Sequence, residues 1–325
     1  MEASRFTGGS ILKSARRSGA PGRLGGVSRA IAPHFQNFPP ASTGLPWAVV
    51  TTLRIATANV NGIRACVRRG FGTWLAERSP DVVAVQELRC PHEELPSSAW
   101  PEHRLAYHPG QLAGRNGVGV LTRWAPSDVR RGFGNRTFDR EGRYLEVDLE
   151  PPDAPPLTVG SLYLPKGGKP EYGPEWAAKQ RRKLSFMASF AHYLTAARRA
   201  AKRRGREFLV MGDFNIAHSR DDLANPTANL HYPGFMPEER EWFGALLGPR
   251  TLIDVLRALH PGVKGPYSWW RWGEQAWDRD TGWRIDYHLA SPSLASAATR
   301  GGTDREPSYQ QRMSDHSPVV VDYAF

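Results

Sequence analysis

FLVMGDFN (208–215) places four apolar residues in a row, then Gly212, then the polar residues Asp213 and Asn215 around Phe214. A short run that is apolar at every position argues for a strand buried on both faces, and such strands lie in sheets covered by other layers. The same texture recurs at LRIATANV (53–60), VVAVQE (82–87), GVGVLT (117–122), YLEVDL (144–149), LTVGSLYL (157–164), IDYHLA (285–290) and PVVVDY (318–323). Helical patterns lie between these runs. FGTWLAERSP (71–80) precedes the second strand, and the segment from Trp176 to about Arg204 repeats apolar residues at Leu184, Met187, Ala191, Leu194 and Ala197. PEEREWFGALLG (237–248) opens with Pro and acids and closes with Gly, as a punctuated helix does. Strands alternating with helices, with some neighbouring strands at hairpin spacing, predict a layered α/β fold. No linker interrupts 53–325, which reads as one domain.

Composition narrows the function classes. The 325-residue chain is 40% hydrophobic, too rich in apolar residues for a disordered protein. No run approaches the ~20 apolar residues of a membrane span. Two cysteines, Cys66 and Cys90, exclude a disulfide framework and a four-cysteine zinc site. They read as plain buried thiols of a reduced, intracellular protein with no membrane partner. The net charge is +11, of which +5 falls on residues 1–52 and +6 on the rest. A basic protein attracts polyanions, nucleic acid first among them. Residues 1–52, rich in Gly, Ser, Arg, Pro and Ala, are expected to form a disordered basic extension. It fits an organellar transit segment, or sequence upstream of a true start at Val49 or Val50, the preferred reading. The second places the protein in a bacterial cytoplasm with the nucleoid, the first in an organelle.

Acids and amides collect at strand ends: Asn59 and Asn61, Glu87, Asp213 with Asn215, Asp286, and Asp315 with His316. Each alone has an ordinary reading as a turn or cap residue. Five such places at strand ends are more economically a shared crevice. Oxygen donors in such a crevice suit Mg²⁺ or Mn²⁺ rather than zinc. With a basic surface around them, the chemistry indicated is phosphodiester hydrolysis by an activated water. Tyr163 stands near the end of LTVGSLYL, ahead of a Pro-Lys-Gly-Gly-Lys turn, a position that could set a phenol near a leaving oxygen. Lys166, Lys169, Arg115 and Arg136 lie in loops beside these motifs and are candidates for DNA-backbone contacts. The runs Arg181-Arg182-Lys183 and Arg198 to Arg206 lie on or after the long helix, the second reading as a solvated face with cations at the helix C-terminus. Among five tryptophans between Trp269 and Trp283, at least Trp270 or Trp272 is expected to fill the core.

The series TANVNGIR (57–64), VQELR (85–89), GVGVLTR (117–123), SLYLPKG (161–167), GDFNIAH (212–218), WRIDY (283–287) and SDHSP (314–318) resembles the exodeoxyribonuclease III family. That family is the class II abasic-site endonuclease branch of the endonuclease/exonuclease/phosphatase superfamily. The resemblance spans 53–325, and WRIDY with NPTANLHYPGFMPEEREWF (225–243) points to the DNA-repair branch. It implies a four-layer α/β sandwich, two β-sheets packed face to face with flanking helices. It also implies a monomeric, Mg²⁺-dependent nuclease, with Mn²⁺ as substitute, that cuts duplex DNA 5′ to abasic sites and works on 3′ ends.

Position by position, the resemblance makes Glu87 the main metal ligand, assisted by Asn59 and Asp315. Asp213 matches the acid that activates water, and Asn215 its partner at phosphate and metal. Tyr163 matches the tyrosine facing the scissile phosphate, and His316 the phosphate-contacting histidine, with Asp286 fixing its tautomer. Lys179 and Asn229 match DNA-contacting positions, and Trp269, Trp283 and Ile285 the apolar pocket for the abasic sugar. Three departures stand out: Asn61 where some members have Asp, Ala58 in place of an aromatic, and Leu88-Arg89 in place of Thr-Lys. Two rivals remain open: a superfamily phosphatase or sphingomyelinase, and a catalytically silent nucleic-acid-binding protein.

Overall fold

The strands, among the described residues, are β1 (Thr52–Asn59), β2 (Val82–Gln86), β3 (Arg104–His108), β4 (Val118–Thr122), β5 (Asp128–Arg131), β6 (Tyr144–Leu149), β7 (Leu157–Tyr163), β8 (Glu207–Asp213), β9 (Ile253–Asp254), β10 (Asp286–Ala290), β11 (Ala298–Thr303) and β12 (Val319–Ala324). The helices are α1 (Ile63–Arg68), α2 (Phe71–Arg78), α3 (Arg136–Asp139), α4 (Pro174–Arg203), α5 (Pro237–Leu246), α6 (Val255–Leu259), α7 (Glu274–Asp278) and α8 (Pro292–Ser296). The structure, a computed structural model, describes residues 51–112 and 114–325. The expected extension lies outside these residues except for Thr51 and Thr52, which pair with Phe325 and Ala324 at the C-terminus.

The strands form two six-stranded mixed sheets, ordered β11-β12-β1-β2-β4-β3 and β5-β6-β7-β8-β10-β9. Their facing sides share one apolar layer: Ile55, Val82, Val120 and Val321 from the first sheet meet Val147, Val159, Leu209 and Met211 from the second. The alternate residues of the same strands point outward. Ala56, Val83 and Val85 pack under Phe71, Trp74 and Leu75 of α2. Val210, Tyr287 and Leu289 pack under Phe186, Phe190 and Leu194 of α4 and Phe243 of α5. This is the four-layer sandwich, and it explains why the strands read as continuous apolar runs: each is covered on both faces.

The strands absent from the sequence reading are β3, β5, β9 and β11, and all four are sheet edges. An edge strand has one partner and an open flank, so its residues remain partly exposed and lack a continuous apolar run. The α4 stripe also differs. Its buried face includes Gln180 and Lys183 beside Phe186, Met187, Phe190 and Leu194, whereas Leu184, Ala191 and Ala197 are only partly covered. The Lys183 ammonium is fully buried, bonded to the Glu239 carboxylate at 2.9 Å and to the Asn215 carbonyl at 2.9 Å. The second basic run makes structural contacts, Arg204 with Asp148 and Arg206 with Glu150. Trp270 is core, whereas Trp272 is 40% exposed. Cys66 and Cys90 are buried and free. No helix of the described residues is long and apolar enough to cross a membrane.

Polar groups also cross the layer between the sheets: the Gln86 amide of β2 donates to the Ser161 hydroxyl of β7 at 3.1 Å, and a histidine bridges farther along. His288 of β10 is fully buried, with Nε2 3.3 Å from the Val319 carbonyl and Nδ1 3.2 Å from the Tyr323 hydroxyl, both on β12. A carbonyl only accepts, so Nε2 carries the proton and Nδ1 accepts from Tyr323. Burial pushes the imidazole down to about 3, against the Val319 hydrogen bond. The folded state therefore resists a proton that the unfolded chain takes up near pH 6.5, and this group removes stability as pH falls from there towards 3. Urea unfolding of His288→Gln across this range should show an acid limb shallower than wild type by up to roughly 1.4 kcal/mol per pH unit. Parallel limbs would show that His288 does not report the difference.

Candidate active site

The two sheets bring their strand ends to one cleft. From the first sheet come Asn59, the last residue of β1, Glu87, just past β2, and the Asp315-His316 pair before β12. From the second come Tyr163 at the end of β7, Asp213 at the end of β8 and Asp286 at the start of β10. Asp213 is register partner to both Tyr163 and Asp286, so pairing alone sets these three abreast. Beyond the strands the chain turns sharply. Asn61, Glu87, Arg89 and Asn215 all have left-handed backbone, with φ of 43°, 55°, 49° and 50°. Non-glycine residues held this way cluster where geometry is over-determined by surrounding contacts.

The Asn59 Nδ2 group donates to Glu87 Oε1 at 2.9 Å and to Asp213 Oδ2 at 3.0 Å, bridging carboxylates from opposite sheets. Asn215 adds its backbone N–H to Asp213 Oδ1 at 2.8 Å and its amide to Oδ2 at 3.0 Å. His316 Nδ1 lies 2.8 Å from Asp286 Oδ2, and its Nε2 3.8 Å from Asp213 Oδ2. The Asp286 carboxylate accepts from Nδ1, so the other nitrogen faces Asp213 and the cleft. Ser268 Oγ fixes Asp286 at 2.6 Å. Asp315 is held by the Asn61 amide at 2.6 Å and the Trp269 indole at 3.2 Å.

Burial raises the Asp213 carboxyl above the ordinary range, and Asp286 and Glu87 add to this against the pull of His316. Burial works against a charged His316, but Asp286, Asp213 and Asp315 outweigh it and raise the imidazole. Asp315 is lowered: burial opposes this, and His316, Trp269 and Asn61 prevail. Burial and the charges of Glu87 and Asp213 raise the Tyr163 phenol well above its usual value, so it is a proton donor at neutral pH.

Glu87, Tyr163, Asp213, Asn215, Asp315 and His316 line a cavity of about 170 Å³ with Arg89, Lys166, Tyr232, Pro233, Gly234, Trp269, Trp283 and Ile285. Glu87, Asp213 and His316 present ligand atoms within 4.8 Å of one another, a group able to hold a metal ion. The donor set fits a hard divalent cation, since Glu87 and Asp213 bring two carboxylates into one buried cleft. Asn59 turns its amide nitrogen, not its oxygen, to the two carboxylates.

Thus Asn59, Glu87, Tyr163, Asp213, Asn215, Asp286, Asp315 and His316 converge, with Lys166, Trp269, Trp283 and Ile285 on the wall. The remaining sequence candidates lie elsewhere. Lys169 pairs with Glu171 at 2.9 Å over the Tyr172 ring, and Lys179 with Glu175 at 2.8 Å over Trp176. Asn229 donates to the Asn225 carbonyl at 2.7 Å and lines a neighbouring groove. Arg143, Ser268 and Tyr232 were not singled out in the sequence. The Arg143 guanidinium sits 5.0 Å from the Tyr163 ring and bonds Glu141 at 2.5 Å, yet its only sequence signal is a place before YLEVDL.

The chain matches the Endonuclease/Exonuclease/phosphatase family over residues 56–316. It is 28% identical over 298 residues to the DNA repair nuclease APEX1 of Danio rerio, covering 89% of this chain and 88% of that protein. It is 29% identical over 275 residues to an exodeoxyribonuclease of Bacillus subtilis, covering 83% of this chain and 98% of that protein. Its structure superposes on an AP endonuclease from Archaeoglobus fulgidus with a TM-score of 0.72 and 27% identity, over 83% of this chain and 99% of that one. With the two-sheet architecture and the cleft in place, the chain belongs to the endonuclease/exonuclease/phosphatase family.

Proposed function

We propose that this protein is a DNA-repair nuclease that hydrolyses the phosphodiester 5′ to abasic sites in duplex DNA and also acts on 3′ ends. The observation that carries this reading is the joining of Glu87, Asp213 and His316 with the Trp269–Trp283–Ile285 wall in one small cavity. At about 170 Å³ it is below the usual ~300–1,000 Å³ of ligand pockets, which favours a sugar lacking its base over an intact nucleotide. The same aromatic wall argues against the rival reading as an inositol-phosphate phosphatase.

Glu87 and Asp213, bridged by the Asn59 amide and with Asn215 and Asp315 beside them, would hold Mg²⁺, which when bound would offset phosphate charge. The rest follows from the chain's own groups. Asp213, at the centre of the cleft, takes a proton from the attacking water. His316, fixed by Asp286, directs its Nε2 N–H at a phosphoryl oxygen and stabilises the charge that builds there. Water oxygen bonds to phosphorus as the bond to the 3′ oxygen breaks. Tyr163, protonated, gives the departing 3′ oxygen its proton, leaving a 3′-hydroxyl and a 5′-phosphate. Lys166, exposed at the cavity rim and 5.6 Å from the Trp269 ring, contacts the DNA backbone without reading sequence.

A labelled duplex with one stable abasic analogue should be incised immediately 5′ to the lesion with Mg²⁺ and not with EDTA. Absence of incision by folded protein across a series of divalent metals would overturn the reading. Asp213→Asn should lower turnover by about 10²–10⁴-fold while DNA binding in EDTA persists, and comparable cleavage by the variant would refute the water-activating role. Lys166→Ala should weaken binding to unrelated duplex sequences alike and reduce the salt slope by about 1. A loss confined to one sequence would contradict the backbone contact.

A further inference from the structure

Lys183 and Glu239 form an ion pair at 2.9 Å with no exposed surface, and neither is among the residues that line the catalytic cavity. Taking two charges out of water costs about as much as their attraction returns, and apolar residues of similar volume are often as stable. Packing alone therefore does not account for a charged pair at this place. The reason lies in its contacts. Lys183 Nζ donates to the Asn215 carbonyl at 2.9 Å and reaches the Lys166 carbonyl at 3.5 Å. Glu239 Oε2 accepts from the Gly234 N–H at 2.6 Å and the Met236 N–H at 3.3 Å, and Oε1 from the Gln180 amide at 2.9 Å. Gln180 Oε1 in turn accepts from the Gly168 N–H at 3.2 Å.

Three segments that line the cavity thus meet one buried network: the loop after β7 with Lys166, the loop after β8 with Asn215, and the stretch before α5 with Pro233 and Gly234. Each is held through its backbone, so the contact sets the path of the chain rather than one side chain. The fit is close. A side chain at Gly167 would collide with the Gln180 amide, and one at Gly234 would come within 3.1 Å of the Asn215 carbonyl and 3.2 Å of the Trp283 ring. The Asn215 backbone is left-handed, with φ of 50°, a conformation that a non-glycine residue keeps only while its contacts hold it. Lys183 holds its carbonyl, and its N–H is bonded to Asp213 Oδ1 at 2.8 Å. A turn of this residue that released the first bond would also withdraw the N–H from the carboxylate.

We propose that Lys183 and Glu239 are positioning residues for the hydrolysis: through the backbone of Asn215 and Gly234 they set the Asp213 carboxylate and the cavity wall in the arrangement the reaction uses. They touch neither the substrate nor the reacting atoms. A single ion pair offers a donor to a carbonyl and an acceptor to N–H groups from one point, which no apolar pair of equal volume does. The inference rests on the reading of the chain as a nuclease but not on the abasic substrate, since the same placement serves any phosphodiester hydrolysed at Asp213.

The test compares melting, DNA binding in EDTA and steady-state turnover for Lys183→Met, Glu239→Gln and the double variant. Each single variant strands one partner in the interior and should lower the melting temperature. The double variant buries no charge, and its new amide still offers an oxygen to the Gly234 N–H. It should melt within about 5 °C of wild type. It should also bind abasic duplex within about 3-fold of wild type, yet lose kcat by about 10- to 100-fold with KM little changed. A pair that only holds the helices together predicts that kcat recovers with the melting temperature, and that result would overturn the proposal. Glu239→Asp keeps both charges and draws the carboxylate back by one methylene, and it decides the matter if the double variant does not fold. A lower kcat at unchanged DNA binding is then expected, and a wild-type kcat would overturn the positioning role. Turnover is measured with Mg²⁺ on the abasic duplex and on bis(p-nitrophenyl) phosphate. Hydrolysis of the simple diester that the double variant loses, without incision of abasic DNA by wild type, rejects the repair reading and keeps the positioning role. Normal incision by the double variant rejects the positioning role alone, and turnover of neither substrate by wild type rejects both.

Discussion

The organisation of this protein turns on the Asn59 amide between Glu87 and Asp213. The two carboxylates come from different sheets and meet in a cleft where burial already disfavours charge. Like charges so placed repel, and repulsion in low dielectric is stronger than in water. A donor that bonds both, at 2.9 and 3.0 Å, lets them stay together. The sandwich core holds the sheets in the relation that makes this bridge possible, so packing far from the cleft sets the distance between its acids.

Around that bridge the chain is held by contacts that leave little freedom. Lys183 and Glu239, both fully buried, join α4 to α5, and the same ammonium bonds the Asn215 carbonyl. Glu239 also accepts from the Gly234 N–H at 2.6 Å, on the cavity wall. Removing one partner of such a pair strands a charge in the interior, a loss of about 3–5 kcal/mol. The left-handed backbone at Glu87 and Asn215 is kept in place by networks of this kind. Rigid support of this sort is what a nuclease needs, because its reacting groups work only when pre-placed.

Much of this was legible in the chain. The central strands showed themselves through burial on both faces, and the reacting groups through polar residues abutting those runs. The contacts of Lys169 and Lys179 were not legible, because a surface lysine and an intrahelical ion pair have the same sequence signature. Nor was the buried role of Lys183, since a charged residue in a helical stripe reads as solvent-facing until its carboxylate partner, 56 residues away in sequence, is known.

The sequence by itself determined the layered α/β class, the central strands and the residue types gathered at their ends. Hydrophobic period and turn chemistry act over a few residues and so are written locally. The tertiary structure alone decided which strands are edges, that Asn59 faces both acids, that Arg143 lies against Tyr163, and that Trp270 is core while Trp272 stands at the rim of a groove. Those outcomes depend on strand register and on the packing of distant segments, and neighbouring residues in the chain carry no record of either.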